Sequence, residues 1–301
     1  MRFTIACFVF IVYPMMGLAQ TIQVSSGQVI RHIQFDSEYV DPRNIDVWLP
    51  YDYSTDKKYA VIYAHDGQML FDASATWNNQ TWAIDKALAR LVLNKSIRDC
   101  IVVGIWNNGD KRHAEYFPKR AWHLTPEAEQ LQLLQIDNVY INPKIFKQGM
   151  LSDLYLQFIV KELKPFIDKN YSTKTNKANT FIMGSSMGGL ISCYAVCEYP
   201  NVFHGAICMS THWPAMNGIT LYYLKNKLPN PRSHKIYFDH GTITLDSLYE
   251  PYQKNADAIL LKHGFQKETN FMSKVFDGAD HSESAWSKRI HIPLEWMLKE
   301  E

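Results

Sequence analysis

Two short runs, Tyr59–Ala64 and Cys100–Trp106 (CIVVGIW), are almost wholly apolar. Runs of this length without polar alternation mark strands covered on both faces. Gln28–Phe35, Ile45–Leu49, Thr180–Met183, Phe203–Met209, Lys235–Phe238 and Phe271–Phe276 read as further strands. Helical spacing runs through Trp82–Leu93, Leu151–Asp168, Met187–Tyr199, Leu248–Lys262 and Ser282–Leu298, with Pro293 expected to break the last. In the second of these, Leu154, Phe158, Leu163 and Phe166 are expected to share one apolar face. The alternation predicts an α/β chain: a mainly parallel central sheet, helices on both faces and antiparallel strands at one end. His123–Gln148 does not alternate; it is polar, partly helical, and reads as a short insertion over one end of the sheet.

Gly184-Ser185-Ser186-Met187-Gly188 matches G-x-S-x-G, and here the strand Thr180–Met183 enters it and a helix leaves it. That is the setting of a nucleophile elbow, in which a sharp turn exposes a serine hydroxyl and crowds its neighbours. Glycine is expected on both sides of Ser186, with Gly189 letting the helix approach the sheet. A serine hydroxyl needs a base to remove its proton. His281, directly after the last strand, is the expected base, ahead of His240 and His291, because ligands of open α/β sheets bind at the carboxyl ends of strands. The carboxylate that orients it should follow Lys235–Phe238. Asp246 is preferred to Asp239, with a helix N-cap as its structural alternative. For the oxyanion, Met187 N–H and a donor from His65-Asp66-Gly67-Gln68 are expected, Gln68 N–H first, with Gly67 permitting close backbone approach.

HDGQMLFD, RHAEYFP at Arg112–Pro118, GSSMGG, DHGTITLD and GADHSESAW together resemble the “Putative esterase” family of α/β-hydrolases. That family includes feruloyl and acetylxylan esterases, siderophore esterases, S-formylglutathione hydrolases and mycolyltransferases. The resemblance spans Val29–Leu298. It implies the α/β-hydrolase fold, with Ser186 as nucleophile, Asp246 as acid, His281 as base, and Gln68 and Met187 at the oxyanion hole; the insertion read above is expected over the active-site end.

Arg2, the apolar run Phe3–Met16 and Gly17-Leu18-Ala19 form the pattern of a removable secretory signal. Residues 1–19 are therefore expected to be cleaved, leaving 20–301 as one catalytic domain, secreted or periplasmic, with no membrane span. Lys+Arg 31 against Asp+Glu 30 gives +1, with no basic block of the kind a nucleic-acid partner requires. No His/Cys spacing suggests a metal, and no cofactor is expected. Cys100, Cys193, Cys197 and Cys208 show no ligand spacing; Cys193 and Cys197, one helical turn apart, read as small buried hydrophobes, and one disulfide among the four stays open in an oxidising compartment.

The expected substrate is an acyl ester of a carbohydrate or a small phenolic ester, with Trp106, Arg112, His212 and Trp213 as contacts. A siderophore trilactone is the first alternative. Such a ligand is strongly anionic, and Lys111, Arg112, Lys119 and Arg120 could receive it. An acyltransferase and a non-catalytic binding protein on the same scaffold are the others.

Overall fold

The computed structural model describes residues 22–136 and 149–300. The expected leader, 1–19, and residues 137–148 of the insertion lie outside the described residues. Among the described residues the strands are β1 (Gln28–Phe35), β2 (Arg43–Leu49), β3 (Ala60–His65), β4 (Cys100–Ile105), β5 (Thr180–Ser185), β6 (Gly205–Met209), β7 (Lys235–Gly241) and β8 (Phe271–Phe276). They form one sheet in the order β1-β2-β4-β3-β5-β6-β7-β8. β2 pairs antiparallel with β1 and β4; every other pairing is parallel. This is the α/β-hydrolase architecture.

β3 shows why the unbroken apolar runs form central strands. Side chains alternate across a strand, so Val61 and Tyr63 enter one hydrophobic cluster while Ile62 and Ala64 enter the other. The first cluster packs against the helix Met187–Glu198, buried from Met187 to Cys197, and the second against Ile84–Leu93 and the C-terminal helices. Cys100, Cys193, Cys197 and Cys208 are buried as free thiols. No helix of the described residues is long and apolar enough to cross a membrane.

One expectation needs correction. Leu151–Asp168 is not one regular helix: Ser152–Gln157 and Lys164–Asn170 flank a π-helical stretch, Phe158–Leu163. The wider turn of that stretch re-phases the face, so Tyr155, Leu156, Phe158, Ile159, Leu163 and Ile167 are buried and Leu154 is 40% exposed. The last helical segment breaks as expected of Pro293, whose ring and missing N–H leave the Arg289 carbonyl, four residues back, without its helical partner. Glu283–Arg289 and His291–Leu298 meet at Ile290, and Pro293 lies in the first turn of the second, where a helix tolerates the missing N–H. The helix Lys119–Leu124, whose last two residues open the insertion, packs on the helix Thr220–Lys227, and none of residues 123–136 lines the cleft that holds Ser186 and His281.

Candidate active site

The chain leaves β5 at Ser185 and enters the helix Met187–Glu198 through Ser186, at φ 56° and ψ −123°. A non-glycine residue there is strained by about 1–3 kcal/mol, and the strain persists because the surroundings hold it. Ser186 N–H donates to the Met209 carbonyl at 3.0 Å, and the Ser186 carbonyl accepts from His212 N–H at 3.1 Å. The two flanking glycines are not equivalent. A Cβ on Gly184 would stand 2.6 Å from the Gly188 backbone, whereas one on Gly188 would meet nothing closer than 3.4 Å. Gly189 faces Thr211, whose Oγ1 would be 2.8 Å from its Cβ, so the close approach expected there is to the loop after β6.

His281 follows β8, and its Nδ1 is 2.5 Å from Asp246 Oδ1. A carboxylate only accepts, so Nδ1 carries the hydrogen and Nε2 is left as the basic nitrogen. Oδ2 of Asp246 accepts from Ser210 Oγ–H and from Gly241 N–H, both at 2.6 Å. Burial works to raise the Asp246 pKa, but the bonds from His281, Ser210 and Gly241 outweigh it and hold the carboxyl below its ordinary value. Trp286 and Tyr249 meet the imidazole edge-on at 5.0 and 5.7 Å and fix its plane. Asp239 is committed elsewhere: Arg289 donates to both of its oxygens, at 3.1 and 3.2 Å. Of the other two histidines, His240 Nδ1 faces the Gly241 carbonyl, and His291 begins the last helix.

Ser210 links the two carboxylates. Its Oγ donates to Asp246 and accepts from Trp286 Nε1 at 3.0 Å and Arg289 Nη2 at 2.9 Å. Neither Ser210 nor Arg289 belongs to a recognisable motif, and nothing local in the sequence signals this buried network.

Across the cleft, Asp66 turns the chain left-handed at φ 55° into Gly67–Met69. Gly67 lies so close to β4 that a Cβ would be 2.5 Å from the Gly104 carbonyl carbon, which is the close approach expected of it. Gln68 follows, its Oε1 accepting from Asn107 N–H at 3.2 Å. Met187, as the first residue of its helix, has an N–H with no intrahelical acceptor, at the positive end of the helix dipole. Arg112 grips Asp66 with two bonds of 2.7 Å, and Asn107 Nδ2 adds a third. Burial would raise the Asp66 pKa, yet Arg112 beside it holds the carboxyl below its usual value.

These elements enclose an open cleft of about 520 Å³ at the carboxyl ends of the strands, lined by Ser186, His281, Gln68 and Arg112. That volume suits a small-molecule ligand. Met69, Trp82 and Trp286 form its apolar wall, and Trp77, Gln80 and Glu283 stand at its edge. Sequence reasoning missed all six; only an exposed aromatic and a run of amides between β3 and the next helix hinted at the edge.

Three of the expected substrate contacts do not line the cleft. Trp106 donates to Asp46 at 2.8 Å and stacks under Arg31, on the β1–β2 side. Trp213 is fully buried, its indole N–H donating to Gln253 at 2.8 Å. His212 lies behind the site, with Nδ1 2.6 Å from the Tyr249 hydroxyl, and burial pushes its pKa down to about 3. Of the four cations only Arg112 lines the cleft; Lys111 pairs with Asp41, Arg112 with Asp66, and Arg120 with Glu198 at 3.0 Å.

A family model described as “Putative esterase” matches residues 37–292. Among curated proteins, the uncharacterized protein YjcH of Bacillus subtilis (strain 168) is 24% identical over 281 residues, covering 91% of this chain and 98% of YjcH. Among solved structures, a ferulic acid esterase superposes with a TM-score of 0.65 at 16% identity, over 90% of this chain and 98% of the other. The enterobactin esterase of Shigella flexneri gives 0.61 at 17% identity, over 92% of this chain and 61% of the other. At these identities the structural likenesses speak for the fold.

Proposed function

We propose, since the chain belongs to this esterase family, that it is a serine carboxylic ester hydrolase working through an acyl-enzyme on Ser186. The observation that carries the reading is the 2.5 Å bond from His281 to Asp246 beside the strained Ser186, both His281 and Ser186 opening on one cleft. Ser186 Oγ attacks the ester carbonyl as His281 Nε2 takes its proton. Asp246 holds the imidazole tautomer and balances the imidazolium. Met187 N–H and Gln68 N–H receive the oxyanion. Collapse expels the alcohol with the proton from His281, and a water then repeats the sequence on the acyl-enzyme.

Charge argues for a neutral substrate, an acyl ester of a carbohydrate or a small phenolic ester. Among the described residues, the cleft's fixed charges are the Arg112 cation and the carboxylates of Asp66 and Glu283. The cation is already gripped by Asp66. A ferric triscatecholate would meet net negative charge there, and like-charge juxtaposition is costly. With the leader pattern at 1–19, the setting proposed is secreted or periplasmic.

Ser186→Ala should abolish ester hydrolysis and labelling by a fluorophosphonate, with circular dichroism unchanged. A few-fold loss would overturn the assignment, because removing a triad nucleophile costs on the order of 10⁴ or more. For substrate class, kcat/KM is compared on an acetylated or feruloylated oligosaccharide, a triscatecholate trilactone and a long-chain p-nitrophenyl ester. A tenfold advantage for either of the last two overturns the neutral-substrate reading.

A further inference from the structure

We infer that Trp77, Gln80 and Glu283 form a subsite for the alcohol half of the ester, shaped for a neutral sugar ring with adjacent hydroxyls. The inference rests on the acyl-enzyme reading above, because that chemistry fixes which side of Ser186 the alcohol leaves from. The leaving oxygen takes its proton from His281, so the alcohol lies against the wall that His281 belongs to. That wall continues through Ser282 into Glu283, and the loop bearing Trp77 and Gln80 is tied to it. Asn78 Nδ2 donates to Glu283 Oε2 at 2.9 Å, and Ser284 N–H donates to Gln80 Oε1 at 3.1 Å. Within the loop, Gln80 N–H donates to Asn78 Oδ1 at 3.1 Å.

These bonds orient what remains. A backbone N–H can only donate, so the oxygen end of the Gln80 amide points at Ser284 and its NH₂ is left over. Glu283 likewise keeps Oε1. Neither Gln80 Nε2 nor Glu283 Oε1 has a partner among the described residues, and both residues line the cleft. One donor and one carboxylate acceptor, each held at its other end, match a hydroxyl-bearing ring. Trp77 is 85% exposed at the same edge. An indole that bare on a pinned loop offers a flat apolar face, which suits the C–H face of a sugar. Glu283, close after His281, also disfavours an anionic alcohol.

The test is the ratio of kcat/KM for acetylated xylo-oligosaccharides to that for p-nitrophenyl acetate, which has no sugar. Trp77→Ala should lower this ratio tenfold or more, chiefly through KM on the oligosaccharide, and Glu283→Gln threefold or more. Tyr51→Ala removes an indifferent aromatic, 89% exposed in a separate groove, and should leave the ratio within twofold. If the wild-type protein cleaves the oligosaccharide ester and Trp77→Ala keeps the ratio, the subsite falls while the ester hydrolase stands. If only p-nitrophenyl acetate is cleaved, the carbohydrate reading and the subsite fall together. If neither is cleaved, the ester hydrolase reading itself falls.

Discussion

Asp246 reaches His281 and Asp239 does not, although Asp239 lies in the same strand that leads to Asp246. Asp246 Oδ1 is 2.5 Å from His281 Nδ1, whereas Asp239 is held by Arg289 through two bonds. Asparagine at 246 would offer an amide donor or a weaker acceptor and favour the wrong imidazole tautomer. Asp246→Asn should therefore lower kcat about 10³–10⁴-fold with little change in melting temperature. Asp239→Asn should do the reverse, since it weakens the pairing of a buried arginine, at a cost of up to about 3 kcal/mol. Steady-state kinetics and thermal melts on the two variants decide it. Inactivation by Asp239→Asn alone, in a fully folded protein, would reassign the acid.

The elbow glycines should separate in the same way. Gly184→Ala would force a methyl against the Gly188 backbone at 2.6 Å, and backbone cannot rotate away. Overpacking of this kind costs about 1–3 kcal/mol and would shift Ser186 with it, so both stability and kcat should fall. Gly188→Ala meets only ordinary contacts at 3.4 Å and should stay within about 1 kcal/mol of wild type. Urea unfolding and burst kinetics on both variants are the measurement. Equal damage from the two substitutions would contradict the geometry.

What could be read in the sequence was local. The strand runs, the elbow and the order of Ser186, Asp246 and His281 each depend on neighbours a few residues away. The apolar runs of β3 and β4 declared burial on both faces without any knowledge of their partners. Chain position next to a strand end does not say which way an indole packs, so Trp106 and Trp213 stand away from the cleft. Trp213 turns inward to Gln253, 40 positions away, and Trp106 to Asp46, 60 away. The π-helical stretch Phe158–Leu163 leaves no mark in a pattern of period 3.6, and Leu154 therefore stands off the face that this period predicts. Trp77 and Glu283 share an edge only because Asn78 bonds Glu283 across 205 positions, a relation no spacing rule contains.

Buried histidines set the acid sensitivity. Burial pushes the pKa of His65 and of His212 down to about 3, against 6.5 in an unfolded chain. Their folded values are depressed, so below pH 6.5 the unfolded state binds protons that the folded state refuses. Stability is full above that value and falls as pH drops from it toward 3. About two protons from this pair are taken up on unfolding near pH 5, a slope of about 2.6 kcal/mol per pH unit. The depressed carboxyls of Asp66 and Asp246 act in the same direction at lower pH. Urea unfolding at pH 7.5, 6.0 and 5.0 should show the slope, and His65→Gln should reduce it by about one proton. A flat profile across that range would refute the account.

Arg112 should behave as a structural partner of Asp66 and not as a receptor for an anionic substrate. Its Nε and Nη2 both engage the carboxylate at 2.7 Å, and its guanidinium lies 5.1 Å over the Tyr116 ring. Asp66 is 6% exposed and is the residue from which the chain turns left-handed toward Gln68. Arg112→Ala would leave that carboxylate buried with Asn107 as its remaining side-chain donor. Unpairing a buried charge costs about 3–5 kcal/mol, less here because the Arg112 side chain is 22% exposed, so about 2–3 kcal/mol is expected. The loop carrying Gln68 would relax with it, lowering kcat on every ester by a similar factor. A double variant, Arg112→Leu with Asp66→Asn, removes both charges and should recover part of the lost stability. The measurement is a double-mutant cycle on melting temperature together with kcat/KM on an acetate ester and a triscatecholate trilactone. Had Arg112 been a substrate anchor, its loss would cut the trilactone rate selectively and leave the melt unchanged, and that result would revive the siderophore reading.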